Sequence, residues 1–321
     1  MLHKQFALGC LPSPQDYRDY KVSSFFPVKN NLPPSYMPKE LIKAENQLGV
    51  GACVAFGMEL QVAYHELKER GRIERYDQNY IYKNRLPEHY QGEGMHPREA
   101  YSMLTRYGVP PKGKGFPHKY PQPYSVLKDQ PITPDMNSYA VFQRIESYFS
   151  LQFEEEIKTA LQHGPVGITI PVYDSFYNCP KDGMLKIPDV SKETLSGYHF
   201  ILIVGWSPGR WIIQNSWGAL WGDRQMVDYC MAYMPFNYPI VEKWGVVDEE
   251  LPPIRNKKKI VMWIDNPIAE VDGKKVQIDP EDPNVTPKIE NNRTLIPIRF
   301  VAENLDVVVE WEGKDRKVTL M

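Results

Sequence analysis

One cysteine stands at the start of a helix-forming segment, and a histidine and an asparagine follow far downstream at the ends of β-branched runs. Cys53 lies in GACVAFG, His199 in GYHFILIVGW and Asn215 in WIIQNSWGALWG. A cysteine acts as a nucleophile only as its thiolate, so it needs a base nearby in space, and that base needs a third group that fixes its ring. The order of these residues predicts a fold that brings a helix start against two strands, with an acyl-transfer site where they meet.

Length and charge limit the range of functions. The 321 residues predict two domains, because a domain averages roughly 150 residues. The 38 basic and 40 acidic residues leave a net charge of -2, so the composition gives no reason to expect a nucleic-acid partner. The chain shows neither the apolar core of a signal peptide nor a run long enough to span a bilayer, which predicts a chain without a transmembrane segment.

The cysteines and histidines do not form metal-binding pairs. None of the four cysteines (Cys10, Cys53, Cys179 and Cys230) has a CxxC spacing, and the seven histidines are scattered singly. Zinc sites usually draw ligands from closely spaced pairs, so we expect no metal and no other cofactor. If Cys53 is a nucleophile, three cysteines remain, an odd number for a disulfide framework.

Changes in residue pattern divide the chain into four segments. Residues 1–45 are rich in Pro, Tyr and Lys, which predicts an extended arm over the surface of the main domain. Residues 46–247 predict an α+β domain, because helical segments come first and short β-branched runs follow. Residues 248–258 are charged and contain proline, which is typical of a linker. Residues 259–321 predict a small separate α+β module.

Local signals predict the elements of both domains. An amphipathic helix is expected from Cys53 to Arg70 with Gly71 as its stop, followed by helices in HPREAYSMLTRYG and FEEEIKTALQHG. Strands are expected in PVGITIPVY, HFILIVGW and RWIIQNSW. In the last segment we expect two strands joined by an Asp272-Gly273 turn, a short helix in RTLIPIRFVAENL and a closing hairpin in VVVEWEGKDRKVTL.

Each candidate site residue meets a chemical need. The helix start would lower the pKa of Cys53, and His199 would form a thiolate-imidazolium pair with it. The amide oxygen of Asn215 would accept the other ring proton of His199. Gln47, six residues before Cys53, would direct a side-chain N–H at the oxyanion of a tetrahedral intermediate, together with the backbone N–H of Cys53. Trp217 would shield the His-Asn hydrogen bond from water.

Residues 45 to about 230 resemble the papain-like C1 cysteine peptidases. The matching pieces are Gln47, Gly51, Cys53, Ala55 and Phe56, then His199 with LIVGW behind it, then the Asn-Ser-Trp-Gly segment at 215–218 and Trp221-Gly222. The resemblance implies a papain-like two-lobed fold, in which a helical lobe and a β-barrel-like lobe flank the active site. It implies a cysteine endopeptidase with Cys53 as nucleophile, His199 as general base and then acid, Asn215 as orienting residue and Gln47 as oxyanion donor.

The sequence also departs from the family pattern. Many members read Cys-Gly-Ser-Cys-Trp where this chain reads Val-Gly-Ala-Cys-Val at 50–54, so the usual disulfide beside the nucleophile cannot form. This favours a bacterial, archaeal or viral branch. By resemblance, Thr169 and Phe200 would line the pocket for the second residue before the scissile bond, and Gly94 would face an extended substrate backbone, since a side chain there would block its approach. Trp217 completes the candidate substrate-binding set.

The terminal segments suggest further roles. Peptidases of this family are commonly made as zymogens, so residues 1–45 form either an inhibitory pro-segment or a structural strap packed on the β half.

Residues 259–321 resemble the copper amine oxidase N-terminal-like (stalk) domain of secreted and cell-surface bacterial proteins. No histidine follows His199 and no cysteine follows Cys230, so the ligands that copper prefers are missing. This module would act as a spacer or as a unit that binds a cell-wall or protein partner.

Three functions remain open from the sequence. The first is an endopeptidase that acts on peptide or protein substrates. The second keeps the chemistry but changes the acceptor or substrate, as in an isopeptidase, a transpeptidase or a cell-wall amide hydrolase. The third is a non-catalytic binding protein on a papain-like scaffold. The module favours action at the cell surface or outside the cell, whereas the lack of a signal peptide opposes it.

Overall fold

The structure, a computed structural model, describes residues 6–86, 92–248, 260–305, 309–312 and 317–320. The predicted linker at 248–258 lies almost entirely outside these ranges. The chain divides into two compact units, residues 1–249 and 250–321. No helix in the described ranges is both long and apolar enough to cross a lipid bilayer.

The described residues of the first unit contain seven α-helices, five of which come before the first strand. They are α1 (Cys53–Arg70), α2 (Gln78–Lys83), α3 (Pro97–Arg106), α4 (Tyr124–Leu127), α5 (Pro134–Ala140), α6 (Glu154–Leu161) and α7 (Asp174–Tyr177). The predicted helices correspond to α1, α3 and α6, and their bounds agree closely with the sequence signals. Gly71 caps α1 in the left-handed conformation with φ of 65°, as its position predicts.

The prediction that α1 is amphipathic is wrong. Every residue from Cys53 to Glu66 is buried, including the carboxyl-bearing Glu59. A helix that is buried on all sides needs no polar face, so its charged residues need partners inside the protein. Glu59 finds one in Arg75, which donates two hydrogen bonds of 2.6 Å to its carboxylate.

A six-stranded antiparallel sheet forms the second half of this unit. Its strands are β1 (Ser147–Ser150), β2 (Val166–Val172), β3 (Gly197–Ser207), β4 (Arg210–Gln214), β5 (Met231–Pro235) and β6 (Glu242–Val247), in the order β1-β6-β2-β3-β4-β5. The three predicted strands are the three consecutive strands β2, β3 and β4 of this order. All seven residues of β2 are buried, and so are eight consecutive residues of β3, which explains their continuous apolar runs.

Close packing between α1 and the sheet sets the position of the site. A Cβ atom built on Gly57 of α1 would lie 2.5 Å from Cδ1 of Phe200 in β3, and one built on Gly167 of β2 would lie 2.4 Å from its Cζ. The ring of Phe200 therefore fills the space that these two glycines leave. This approach brings the amino end of α1 against the start of β3.

The second unit consists of short strands and one helix among its described residues. It contains β7 (Ile260–Val261), β8 (Ile268–Val271), β9 (Lys274–Gln277), β10 (Lys288–Glu290), β11 (Arg293–Leu295), α8 (Ile298–Asn304), β12 (Val309–Glu312) and β13 (Lys317–Leu320). The predicted turn at Asp272-Gly273, the short helix and the closing hairpin are confirmed. The hairpin of β10 and β11 was not predicted. A small core of Ala269, Ile278 and Phe300 holds the unit together.

Candidate active site

Cys53 is the first residue of α1 and is completely buried. Its Sγ accepts hydrogen bonds from the backbone amides of Phe200, Gly9 and Val54. Phe200 directly follows His199 in β3, so the thiol lies beside the start of that strand. Gly9 belongs to the N-terminal arm, which means that the arm contacts the candidate nucleophile itself.

His199 and Asn215 meet because β3 and β4 are paired. The register of Leu202 with Gln214 places the residue after β4 beside the start of β3. Nε2 of His199 lies 2.7 Å from Oδ1 of Asn215, and the same oxygen accepts the backbone N–H of Ser216 at 2.7 Å. Because Oδ1 is fixed as an acceptor, the proton of the neutral ring belongs on Nε2. Nδ1 has no hydrogen-bond partner among the described residues.

Aromatic rings enclose the His-Asn hydrogen bond. The ring of Trp217 stacks on His199 with centroids 4.5 Å apart, and Phe176 packs edge-on against both rings. Trp217 is only 1% exposed. Its position matches the predicted shielding role, since a dry environment strengthens a hydrogen bond.

Gln47 is held in place by Ser216, a residue to which the sequence alone assigned no role. Its Oε1 accepts a 2.6 Å hydrogen bond from Oγ of Ser216, and its backbone N–H donates to the Ser216 carbonyl at 2.9 Å. The side-chain N–H groups therefore point away from Ser216, and Nε2 donates to the carbonyls of Val50 and Ala7 at 2.8 and 3.0 Å. The proposed oxyanion donor is thus bound to a carbonyl of the arm.

The arm follows a defined path from Phe6 to Leu11. The ring of Phe6 stacks on Trp217 with centroids 4.7 Å apart. Gly9 passes so close to Gly51 that a Cβ on Gly9 would lie 1.8 Å from the Gly51 carbonyl oxygen. Beyond it, the Gly9 carbonyl accepts the N–H of Met95 at 2.9 Å, and the N–H of Leu11 donates to the Met95 carbonyl at 3.2 Å. Residues 6–11 of the arm therefore occupy the cleft. Later residues of the arm pack on the sheet, as Lys21 does against Ser150 and Tyr36 against Trp206.

Gly94 lies against the arm but does not form the backbone pair. A Cβ on Gly94 would meet the Gly9 carbonyl oxygen at 3.1 Å, and φ at Gly94 is +116°, a region that L side chains rarely adopt. Its own N–H donates to the hydroxyl of Tyr82 and not to the arm, and its carbonyl accepts a hydrogen bond from Arg85. The pairing residue is its neighbour, Met95. The absence of a side chain at Gly94 leaves room for that pairing.

Thr169 and Phe200 lie opposite each other on β2 and β3. Oγ1 of Thr169 is 3.2 Å from Sγ of Cys10, so the arm places its cysteine in the pocket that resemblance assigns to substrate. The backbone N–H of Cys10 donates to the Tyr198 carbonyl at 3.4 Å. The buried ring of Phe200 packs between Gly57 and Gly167, and its backbone amide faces Sγ of Cys53.

Burial under the arm keeps the candidate pair neutral. Loss of solvent raises the pKa of the Cys53 thiol to about 11, and the hydrogen bonds from Phe200, Gly9 and Val54 offset this only in part. Burial also lowers the pKa of His199 to about 4, against the effect of its bond to Asn215. In this arm-covered state both shifts favour the neutral thiol and the neutral ring, because the desolvation penalty exceeds the benefit of the helix start, and the thiolate-imidazolium pair stays a prediction for an open cleft.

Among the described residues, no group of three or more His, Cys, Asp or Glu side chains is placed to hold a metal ion. The free cysteines include Cys179, which is half-buried, and Cys230, which is buried.

Comparisons with known proteins agree with this fold. A family model described as papain family cysteine protease matches residues 38–234, more than half of the chain. The chain therefore belongs to the papain family of cysteine proteases, and the predicted two-lobed α+β fold is confirmed. A second model, the copper amine oxidase N-terminal domain, matches residues 244–320, as the resemblance of the C-terminal module predicted.

Several relatives are similar to this chain. A cysteine protease of Blomia tropicalis is 24% identical over 197 residues, which are 57% of this chain and 56% of that protein. The thiol protease aleurain of Arabidopsis thaliana is 26% identical over 223 residues, 67% of this chain and 55% of that protein. The chain spans about half the length of these two relatives.

Solved structures show the same fold. Xylellain, a cysteine protease from Xylella fastidiosa, superposes with a TM-score of 0.65 at 19% identity, covering 77% of this chain and 98% of that chain. Procathepsin B S9 from Trypanosoma congolense gives a TM-score of 0.56 at 16% identity, covering 75% and 86%. At these identities the likeness concerns the fold alone.

Proposed function

We propose that this chain is a cysteine endopeptidase that hydrolyses peptide bonds through a thioester acyl-enzyme. The observation that carries the proposal is the His199–Asn215 hydrogen bond beside Cys53. It uses Nε2, so the other ring nitrogen, Nδ1, remains for proton exchange with the thiol. A buried His-Asn pair next to a cysteine at a helix start has the geometry that nucleophilic acyl transfer requires.

Acylation follows from these positions. Nδ1 of His199 takes the proton of Cys53, and Sγ attacks the carbonyl carbon of the substrate. The negative charge on the carbonyl oxygen is stabilised by Nε2–H of Gln47 and the backbone N–H of Cys53. The imidazolium then donates its proton to the leaving nitrogen, the C–N bond breaks, and a thioester remains on Cys53.

Deacylation reverses the roles with water as the nucleophile. His199 takes a proton from water as it attacks the thioester carbon, and the same donors stabilise the second tetrahedral intermediate. The C–S bond breaks, the acid product leaves, and the proton returns from the ring to Cys53. Asn215 holds the ring in one orientation through both steps, which is the function of the third member of such a triad.

We propose further that residues 6–11 inhibit the enzyme by filling its cleft. A substrate that places a residue before its scissile bond against Thr169 runs from there past Cys53 toward Trp217. The arm runs the other way, since Cys10 lies against Thr169 and the earlier residue Phe6 lies on Trp217. A reversed chain does not present a carbonyl for attack in the productive orientation, so the arm blocks the site without being a substrate. This favours the pro-segment over the structural strap.

Peptide hydrolysis tests the central proposal. The full chain carrying Gly9→Ala, which relieves the block by the arm, should hydrolyse fluorogenic peptides, and adding Cys53→Ala should abolish that activity. Cys179→Ala is the matched control and should leave turnover at the parent level. Unchanged turnover in the Cys53→Ala chain would overturn the assigned nucleophile, and turnover lost equally in both cysteine variants would point to a structural effect.

We also make two smaller proposals. The first is that the second unit binds a cell-wall or protein partner outside the cytoplasm. The second is that the chain belongs to the bacterial, archaeal or viral branch of the family. Support for the first is the exposed apolar surface of the β10–β11 region, where Ile289 is 63% exposed. Support for the second is the sequence around Cys53, which lacks the second cysteine of the usual disulfide. Sedimentation of the full chain with cell walls tests this binding, and an Ile289→Asp substitution should reduce the bound fraction.

A further inference from the structure

Two of the four cysteines lie in the same cleft. Cys53 is the candidate nucleophile, and Cys10 belongs to the arm that covers it. Both are buried, with exposed fractions of 0% and 3%, and both are free thiols. The proposed mechanism uses Cys53 and gives no role to the thiol of Cys10.

The hydrogen-bond partners of the two thiols are opposite residues of the sheet. Sγ of Cys53 accepts the backbone N–H of Phe200, and Sγ of Cys10 lies 3.2 Å from Oγ1 of Thr169. Thr169 and Phe200 are paired residues of β2 and β3. The Cα atoms of such a pair are roughly 4.5–5.5 Å apart. The two sulfur atoms are therefore neighbours in the cleft.

The backbone of the arm fixes Cys10 beside the nucleophile. The N–H of Gly9, the residue before Cys10, donates to Sγ of Cys53. The N–H of Cys10 itself donates to the Tyr198 carbonyl at 3.4 Å, two residues before Phe200 on β3. Cys10 is thus held between two contacts with the residues that build the candidate active site.

The electrostatics of the cleft agree with a short distance between the two thiols. Burial raises the pKa of the Cys10 thiol well above its ordinary value, and the charge of Cys53 is the next cause, ahead of the charge of Glu242. Only the hydroxyl of Thr169 separates Cys10 from Glu242, since Oγ1 donates to Oε1 of the carboxylate at 2.8 Å. A charge that acts more strongly than this carboxylate lies comparably close, because Coulomb energy falls with separation.

We infer that hydrogen peroxide joins Cys10 to Cys53 in a disulfide, which stores the nucleophile in a reversible form. The inference rests on the proposed function, which makes Cys53 the thiol that reacts first. After His199 takes its proton, the sulfur of Cys53 attacks one peroxide oxygen, the O–O bond breaks, and a sulfenic acid and water form. Sγ of Cys10 then attacks the Cys53 sulfur, and the S–O bond breaks. The thiol proton of Cys10 leaves with the hydroxide as a second water, so the two thiols lose two electrons and the peroxide gains them.

The disulfide protects the nucleophile and fixes the arm. A sulfenic acid without a neighbouring thiol is oxidised further to a sulfinic acid, which thiols do not reduce, whereas a disulfide returns to two thiols in the presence of a reductant. The same bond ties Cys10 into the cleft, so the arm cannot leave. The oxidised chain therefore stays latent until a thiol reductant breaks the bond.

Disulfide mapping of the full chain tests this inference. The reduced chain is treated with hydrogen peroxide, blocked with a maleimide in denaturant and digested without reductant. We expect a linked peptide pair that joins Cys10 to Cys53, a loss of two hydrogens in the intact mass, and return of epoxide labelling at Cys53 after treatment with dithiothreitol.

A serine at position 10 keeps a hydroxyl beside Thr169 but cannot form the bond. In Cys10→Ser the linked pair should be absent, Cys53 should gain two oxygens, and dithiothreitol should not restore its labelling. Cys179→Ser is the matched control and should behave as the parent does.

Two results would overturn the inference. One is the absence of the Cys10–Cys53 pair in the oxidised parent, which is decisive whether or not the variant folds. The other is equal recovery of Cys53 labelling by dithiothreitol in the parent and in Cys10→Ser. The proposed function fails by a different result, namely no epoxide labelling of Cys53 in the reduced parent or in the reduced Gly9→Ala chain, where no disulfide is present.

Discussion

The side-chain amide of Gln47 donates to the carbonyl of Ala7 at 3.0 Å. The donor proposed to stabilise the oxyanion of a substrate therefore binds a carbonyl of the same chain. Together with the contact of Gly9 with Cys53 and the stacking of Phe6 on Trp217, this bond supports the proposal that the arm-covered structure is a latent form.

Replacing Gly9 should expose the site. In Gly9→Ala the new methyl would lie 1.8 Å from the Gly51 carbonyl oxygen, a backbone atom that cannot move away cheaply. We expect the arm to be displaced and alkylation of Cys53 by iodoacetamide to accelerate roughly tenfold or more, because a clash of this kind costs about 1–3 kcal/mol. Gly49→Ala is the control, since a Cβ there meets nothing within 4 Å. Equal alkylation rates in the two variants would show that the arm does not limit access.

Gln47→Ala should separate two kinds of chemistry. Loss of an oxyanion donor should lower the kcat of peptide hydrolysis by roughly 10²–10³-fold. Alkylation by an epoxide forms no tetrahedral oxyanion, so its rate should stay the same or rise, because the variant also loses the bond to Ala7. Ser216→Ala removes only the hydroxyl that orients Gln47 and should have a smaller effect on kcat. A parallel fall of both reactions in Gln47→Ala would mean that Gln47 supports the fold and not the oxyanion.

The buried His199 should make the first unit sensitive to acid. Its pKa is lowered from 6.5 to about 4 in the folded state, so the folded protein binds fewer protons than the unfolded chain between these values. The contribution of His199 to stability is complete above pH 6.5 and is lost as the pH falls from 6.5 through 4. The total loss in the free energy of unfolding is roughly 3 kcal/mol. The raised pKa of Cys53 makes the protein sensitive to base as well, because stability is lost as the pH rises from 9 through about 11.

Denaturant unfolding at pH 8 and pH 4.5 measures this effect. His199→Gln should reduce the difference in free energy of unfolding between the two pH values. A pure packing loss would lower stability by the same amount at both, so an unchanged pH difference in the variant would contradict the assignment.

Gly57 should link the fold to the site. Gly57→Ala places a methyl 2.5 Å from the ring of Phe200, whose backbone amide binds Cys53. We expect a loss of about 1–3 kcal/mol in stability together with a fall in peptidase activity, because α1 and β3 must move apart. Phe200→Leu in the same chain removes ring atoms at the point of contact and should restore part of both. Failure of this second substitution to restore either would show that the clash is relieved in another way.

The sequence predicted elements whose signals are local. The bounds of α1 could be predicted because an apolar segment ends at Gly71, which takes the left-handed conformation. Its burial on all sides could not, since periodicity along one helix does not reveal a sheet on its other face. The order of Cys53, His199 and Asn215 was informative because the pairing of β3 with β4 brings the last two together.

The features that the sequence did not reveal depend on long-range contacts. The path of the arm depends on the fit of Phe6 and Gly9 to a cleft built by distant residues, and an extended segment has no periodicity that would indicate its register. Ser216 could have been identified from its place beside Asn215. Glu242 is an acid at the start of a strand, and only the pairing of β6 with β2 brings it beside Thr169.

The central claim is that Cys53 is the nucleophile of a peptidase held latent by its own arm. The most direct test treats the full chain and the Gly9→Ala chain with a peptidyl epoxide and locates the adduct by peptide mapping. We predict a single adduct on Cys53, formed slowly in the parent and faster in the variant, with Cys10, Cys179 and Cys230 unmodified. An adduct on another cysteine, or none on Cys53 in either chain, would contradict the account.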